Sequence, residues 1–251
     1  DYTEGAPQKF HLKAASGERW FRFGSRATNP TDQWPDPDIY VHAASGQKLS
    51  GSETRNLNRA YPGRPDGSLT EQIAYGIVQL IKQEKVNMTI DLHEASPEYP
   101  VINAIVAHER AMEYAAEVTI GLQMDGMKIG LEPSPKSLRG LSHRELGDAT
   151  DTLAILMETA NPAQGRLRGA TNEQLVLTGK DLMYERAAKL NRLFVPYDAK
   201  GQPLDLRVAR HVTAINEFLT VLSKKKPAQA VVLNRVPSYN DMVKKGIGSY
   251  L

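Results

Sequence analysis

Val86-Asn87-Met88-Thr89-Ile90-Asp91-Leu92-His93-Glu94 alternates apolar with polar side chains, and the expected architecture is built around it. A period of two marks a β-strand with one face buried, and this strand delivers His93 at its end. Just upstream, Ser68-Leu69-Thr70-Glu71 has the form of a capping box, in which Ser68 and Glu71 satisfy each other's backbone amides. Behind it Leu69, Ile73, Ile77 and Leu80 keep a helical period, so residues 69–85 are expected as an amphipathic helix. Downstream, 101–107 reads as a second strand and 109–122 as a helix. Leu153-Ala154-Ile155-Leu156-Met157 is a continuous apolar run, the pattern of a strand buried on both faces. Helices are expected over 171–193 and 204–225, the second with Val208, Val212, Ile215, Leu219 and Leu222 on one stripe. Helices alternating with buried strands predict the α/β class, a mixed β-sheet flanked by helices. The body is expected over 1–226, with 227–251 as an extended C-terminal tail.

Polar stretches fill the rest. Residues 1–17 read as an irregular lead-in, followed by a short strand at Glu18–Phe23. From Gly24 to Gly67 the chain is dense in Gly, Pro, Asn, Asp and Ser, which predicts a long loop, and loops of that length are usually functional. A further loop is expected over 125–150, around Ser142-His143-Arg144-Glu145.

Composition bounds the function. The chain has 251 residues, 41% hydrophobic and 24% charged, enough apolar content for a sizeable core. A formal charge of +2, from interspersed charges, gives no basis for nucleic-acid binding or a polybasic membrane surface. No apolar run approaches the roughly 18 residues of a membrane span. The absence of cysteine removes disulfides, cysteine metal ligands and a cysteine nucleophile. Asp1 is not the Ser, Thr or Cys with which an N-terminal-nucleophile hydrolase begins. The opening Asp1-Tyr2-Thr3-Glu4-Gly5 matches neither an initiator nor a signal peptide, so a processed piece is expected.

Three constellations can carry chemistry. His93 at a strand end, with Asp91 two residues before it on the same face, suits a ligand whose imidazole a carboxylate orients. The alternative is a strand-end histidine bonded to a backbone carbonyl. Glu158 closes the most apolar run, where desolvation pushes a carboxylate toward the basicity a general base needs. Its alternative is a strand-end glutamate that caps the next helix. Arg55-Asn56-Leu57-Asn58-Arg59-Ala60-Tyr61-Pro62-Gly63-Arg64 sets arginine forks and asparagine amides in one loop, suited to gripping a carboxylate. Standing alone it reads as a solvated basic loop.

Taken together, Asn-Leu-Asn-Arg-Ala-Tyr-Pro-Gly, an amphipathic helix, Asp-Leu-His-Glu and a later strand-end Glu resemble the succinylglutamate desuccinylase/aspartoacylase family. That family is a branch of the zinc carboxypeptidase superfamily, and the resemblance runs from about Thr28 to Pro162. It implies one Zn²⁺ with His93 as its third protein ligand, and Glu158 as the general base and acid. It implies Asn58 and Arg59 as the grip on a substrate carboxylate, and Arg55 as the group that polarises the scissile carbonyl. In relatives a loop at the position of Ser142-His143-Arg144-Glu145 covers the substrate, which implies His143 and Arg144 as substrate contacts; the alternative is a surface loop with a helix cap. The implied activity is hydrolysis of an amide bond in a small carboxylate-bearing substrate, that is, an N-acyl amino acid deacylase. A carboxypeptidase acting on peptides or peptidoglycan stems, and a non-catalytic carboxylate-binding module, are the alternatives.

One departure matters. The family's first two zinc ligands come from a His-x-x-Glu motif, and no histidine here (His11, His42, His93, His108, His143 or His211) has a Glu three residues later. The first strands of the family's sheet have no counterpart either. An N-terminal partner chain carrying His-x-x-Glu and supplying those strands is therefore expected. The compartment stays open: lack of cysteine and apparent processing lean periplasmic or secreted, and resemblance to intracellular deacylases leans the other way.

Overall fold

The computed structural model describes residues 9–14, 17–22, 39–49, 53–54, 56–95, 101–160, 173–180, 182–191 and 200–251. Two antiparallel pairs come first: β1 (Lys9–Ala14) with β2 (Gly17–Arg22), and β3 (Tyr40–Val41) with β4 (Lys48–Leu49). The sequence predicts only the second strand of the first pair. Lys9-Phe10-His11-Leu12-Lys13 alternates in the same way, but its few apolar residues leave little contrast against the polar lead-in.

Helix α1 (Leu69–Gln83) begins at the capping box: the Ser68 hydroxyl accepts from the Glu71 amide and the Glu71 carboxylate accepts from the Ser68 amide. Its buried face is Thr70, Glu71, Ala74, Val78 and Ile81, while Leu69, Ile73 and Leu80 stand exposed. The helix is where the sequence places it, but its core-facing stripe is rotated from the expected one. The small Ala74 and Val78 pack with Ile81 against Ala60, Tyr61, Leu146 and Ala154.

Strand β5 (Met88–Ala95) follows, then β6 (Ala104–Ala107), α2 (Met112–Met124), β7 (Gly130–Pro133), α3 (Ser142–Ala149) and β8 (Leu153–Ala160). The sheet order is β5-β8-β6-β7, with β6 parallel to β7 and antiparallel to β8, Ala104 opposite Glu158. This is the expected mixed sheet flanked by helices. Both β7 and α3 lie inside the expected 125–150 loop. They are short, and much of what α3 buries is polar, so hydrophobic periodicity does not reveal them.

The expected helix over 171–193 is two, α4 (Glu173–Thr178) and α5 (Leu182–Lys189). Gly179 separates them with φ +66°, and an added Cβ would meet the Gln202 backbone at 2.2 Å. Helix α6 (Leu204–Lys225) is as predicted and packs on α2 and α4. Residues 227–251 are not extended throughout: α7 (Tyr239–Lys245), capped by Ser238, packs on α6. The chain divides into two compact units with interleaved segments, 1–89 with 135–154, and 90–134 with 155–251.

Candidate functional site

Strands β5 and β8 are neighbours that start level, because the Leu153 amide donates to the carbonyl of Asn87, just before β5. The fifth residue after the first of each strand is His93 in β5 and Glu158 in β8. Each strand runs past its site residue instead of ending on it. Nε2 of His93 lies 2.9 Å from the Asp91 carboxylate, so the residue two places earlier does orient the imidazole. Neighbouring residues of β8 are buried on both sides of Glu158, which itself keeps partial exposure.

Helix α6 brings His211 to the backbone of His93. Burial, first, and the nearby ring of His93 hold its pKa well below the usual histidine value, at about 4, with the Arg207 and Arg210 guanidinium groups acting in the same direction. The backbone of His93 is a hydrogen-bond partner that opposes this only in part. His211 is thus neutral at pH 7. The sequence reads it as structural, and only its place on the helix stripe beside Arg207 and Arg210 hints at more.

The other group of expected residues lies in the unit formed by 1–89 and 135–154. Asn58 sits in the 3-10 turn Leu57–Arg59, and its Oδ1 accepts from the Ser142 amide at 2.7 Å, at the start of α3. The orphan amide of a helix start is thereby satisfied by a side chain 84 positions away in sequence. Arg59 donates from Nη1 to the Asn58 carbonyl at 2.6 Å, and its Nε lies 4.0 Å from Glu53. Gly140, with φ +82°, passes so close that an added Cβ would stand 2.3 Å from the Arg59 carbonyl oxygen. Arg55 lies outside the described residues.

His143 and Arg144 are buried in α3, and Arg144 reaches Asp148 at 3.3 Å. Beside them Glu145, which the sequence does not single out, accepts from the Gly140 amide at 3.0 Å and from Arg139 at 3.0 Å. The structure therefore assembles the expected residues in two groups: Asn58 and Arg59 against the start of α3, and His93 level with Glu158 in the sheet.

Zinc is the metal that the resemblance implies, and a catalytic zinc takes three protein ligands. Among the described residues no three His, Asp or Glu side chains gather as a metal would require. On the reading that the resemblance implies, His93 oriented by Asp91 would be one ligand only, so the described residues do not by themselves fit the ion. Nor, among them, is any helix long and apolar enough to cross a membrane.

No family model and no curated protein matches the chain. Among solved structures it is similar to the product-bound ectoine utilization protein EutE (DoeB) from Ruegeria pomeroyi, at 18% identity and a TM-score of 0.33. The match covers 52% of this chain and 38% of that one, so the chain spans well under half of that protein's length. At this TM-score the likeness assigns neither fold nor activity.

Proposed function

We propose that this chain belongs to a hydrolase that cleaves an amide bond in a small carboxylate-bearing substrate of the N-acyl amino acid type. One observation carries the reading: a histidine oriented by a carboxylate stands level with a glutamate on the adjacent strand. In this reading Glu158 accepts the proton of an attacking water and returns it to the leaving nitrogen. Asn58, Arg59 and Arg55 recognise the carboxylate and the polarised carbonyl. His143 and Arg144, both buried in α3, belong to the proposal as substrate-binding residues in the segment that precedes β8. Zinc belongs to the proposal with His93 as one ligand and two others from a His-x-x-Glu segment outside this sequence, on a partner chain.

A carboxylate-binding module without hydrolysis is the second reading, favoured by the lack of a gathered ligand triad among the described residues. The test is release of free amino acid from a panel of N-acyl amino acids and short peptides. The assay uses the protein with whatever polypeptide copurifies, with and without added zinc. Zinc-dependent cleavage of N-acyl amino acids, lost in Glu158→Gln, is expected. Cleavage of peptides alone would move the reading to a carboxypeptidase. Binding of N-acyl amino acids without any cleavage would move it to the module.

A further inference from the structure

We infer that α6 is the positioning element of this site, with Arg207 and Arg210 holding the residues that follow His93 and Glu158. The inference rests on the proposed hydrolase only for its activity readout. Arg207 is buried, and its guanidinium makes an ion pair with Glu94. The same group donates from Nη2 to the Val176 carbonyl at 2.7 Å and from Nε to the Gln202 carbonyl at 3.0 Å. One turn along, buried Arg210 donates from Nη1 to the Thr159 hydroxyl at 3.3 Å and to the Gln202 side chain at 3.0 Å.

Side chains alternate along a strand, so residues next to one another face opposite ways. Glu94 and Thr159 both turn toward α6, and His93 and Glu158 therefore turn together to the other face of the sheet. Residues three apart on a helix have Cβ atoms about 5–6 Å apart, close to the ~4.8 Å between paired strands. A single helical turn thus spans β5 and β8 and fixes how far each is advanced relative to the other. Glu94 is exposed while Arg207 is buried, so solvent screens the pair and it adds little net stability. What it does supply is a directional fork: a shift of β5 by one residue would swing Glu94 to the opposite face and strand the guanidinium.

The test compares Arg207→Met, Arg207→Lys and Glu94→Gln with the unaltered protein. Three readouts are taken: amide hydrogen exchange, the ring resonance of His93 at one fixed pH, and kcat and KM on N-acyl amino acids. Arg207→Met is expected to speed exchange in β5 by about tenfold with α2 unchanged, and to displace the His93 resonance. Lysine, a single donor centre with no fork, is expected not to restore either. The kcat is expected to fall about 10- to 100-fold at nearly constant KM, as a misplaced catalytic group gives. An unmoved His93 resonance in folded Arg207→Met, or protection lost equally in α2, would overturn the inference. If Arg207→Met does not fold, Arg210→Met is read by the same criteria through β8 and Glu158. No hydrolysis by the unaltered protein would remove the hydrolase reading, while exchange and resonance still decide the positioning.

Discussion

Glu158 and Tyr40 are buried to different degrees and lead to different expectations. Glu158→Gln keeps the shape of the side chain and removes its capacity to take a proton. Turnover should fall about 10²- to 10⁴-fold with the thermal midpoint nearly unchanged, read by amino acid release and calorimetry on the same sample. Tyr40 is buried with no hydrogen-bond partner for its hydroxyl among the described residues, and burial together with the nearby Glu71 carboxylate pushes its pKa up to about 12. The folded state thus resists ionising a group that ionises near 10 when unfolded. Its contribution is complete below pH 10 and is lost as the pH rises through 12, by about 2–3 kcal/mol over the two units. In urea unfolding across pH 9–12, Tyr40→Phe should flatten that decline and cost under about 1 kcal/mol at pH 7, since the hydroxyl bonds none of the described residues. At this scale the sequence exposes His93 and Glu158, because each lies at the end of an apolar pattern. It does not expose the bond from Asn58 to the Ser142 amide, which joins residues 84 positions apart with no local signature.

Among the elements, α1 and α6 are legible because each carries its own start or stop chemistry as well as a stripe. Ser68→Ala should cost about 1 kcal/mol in chemical denaturation, the usual effect of deleting an N-cap. Helix α3 is illegible for the opposite reason. Its buried positions are Ser142, His143, Arg144 and Glu145 as well as Leu146, and partners such as Asn58, Arg139, Gly140 and Asp148 offset that burial without any apolar pattern. The clearest check on this junction is Gly140→Ala. The left-handed backbone and the Arg59 carbonyl both exclude a side chain there, so a loss above about 1–2 kcal/mol is expected, measured against an alanine at the open Gly76 as control. The core-facing stripe of α1 differs from the expected one because two apolar rows lie on this helix, and local periodicity does not say which row meets the other elements.

For the molecule as a whole, class and sheet type follow from the alternation of strands and helices, whereas the partition into units does not. The chain crosses between the two units at 89/90, 134/135 and 154/155, and no composition shift marks those points. Metal content is also a whole-molecule property here. Native and denatured mass spectrometry with zinc quantified on the same material should show a second polypeptide and about one zinc per complex. A lone 27.8 kDa chain without zinc would leave the module reading. Finally, the double attachment of α6 has a consequence for how such a chain can change over generations. Every residue of an α-helix adds about 100° of rotation. Replacing one residue between Pro203 and Arg207 can be absorbed, whereas losing or gaining one would turn both arginines away from Glu94 and Thr159 at once. Insertions and deletions should therefore be purged from 203–210 and tolerated in the exposed stretch 230–235, a contrast that a library of single-residue indels would display directly.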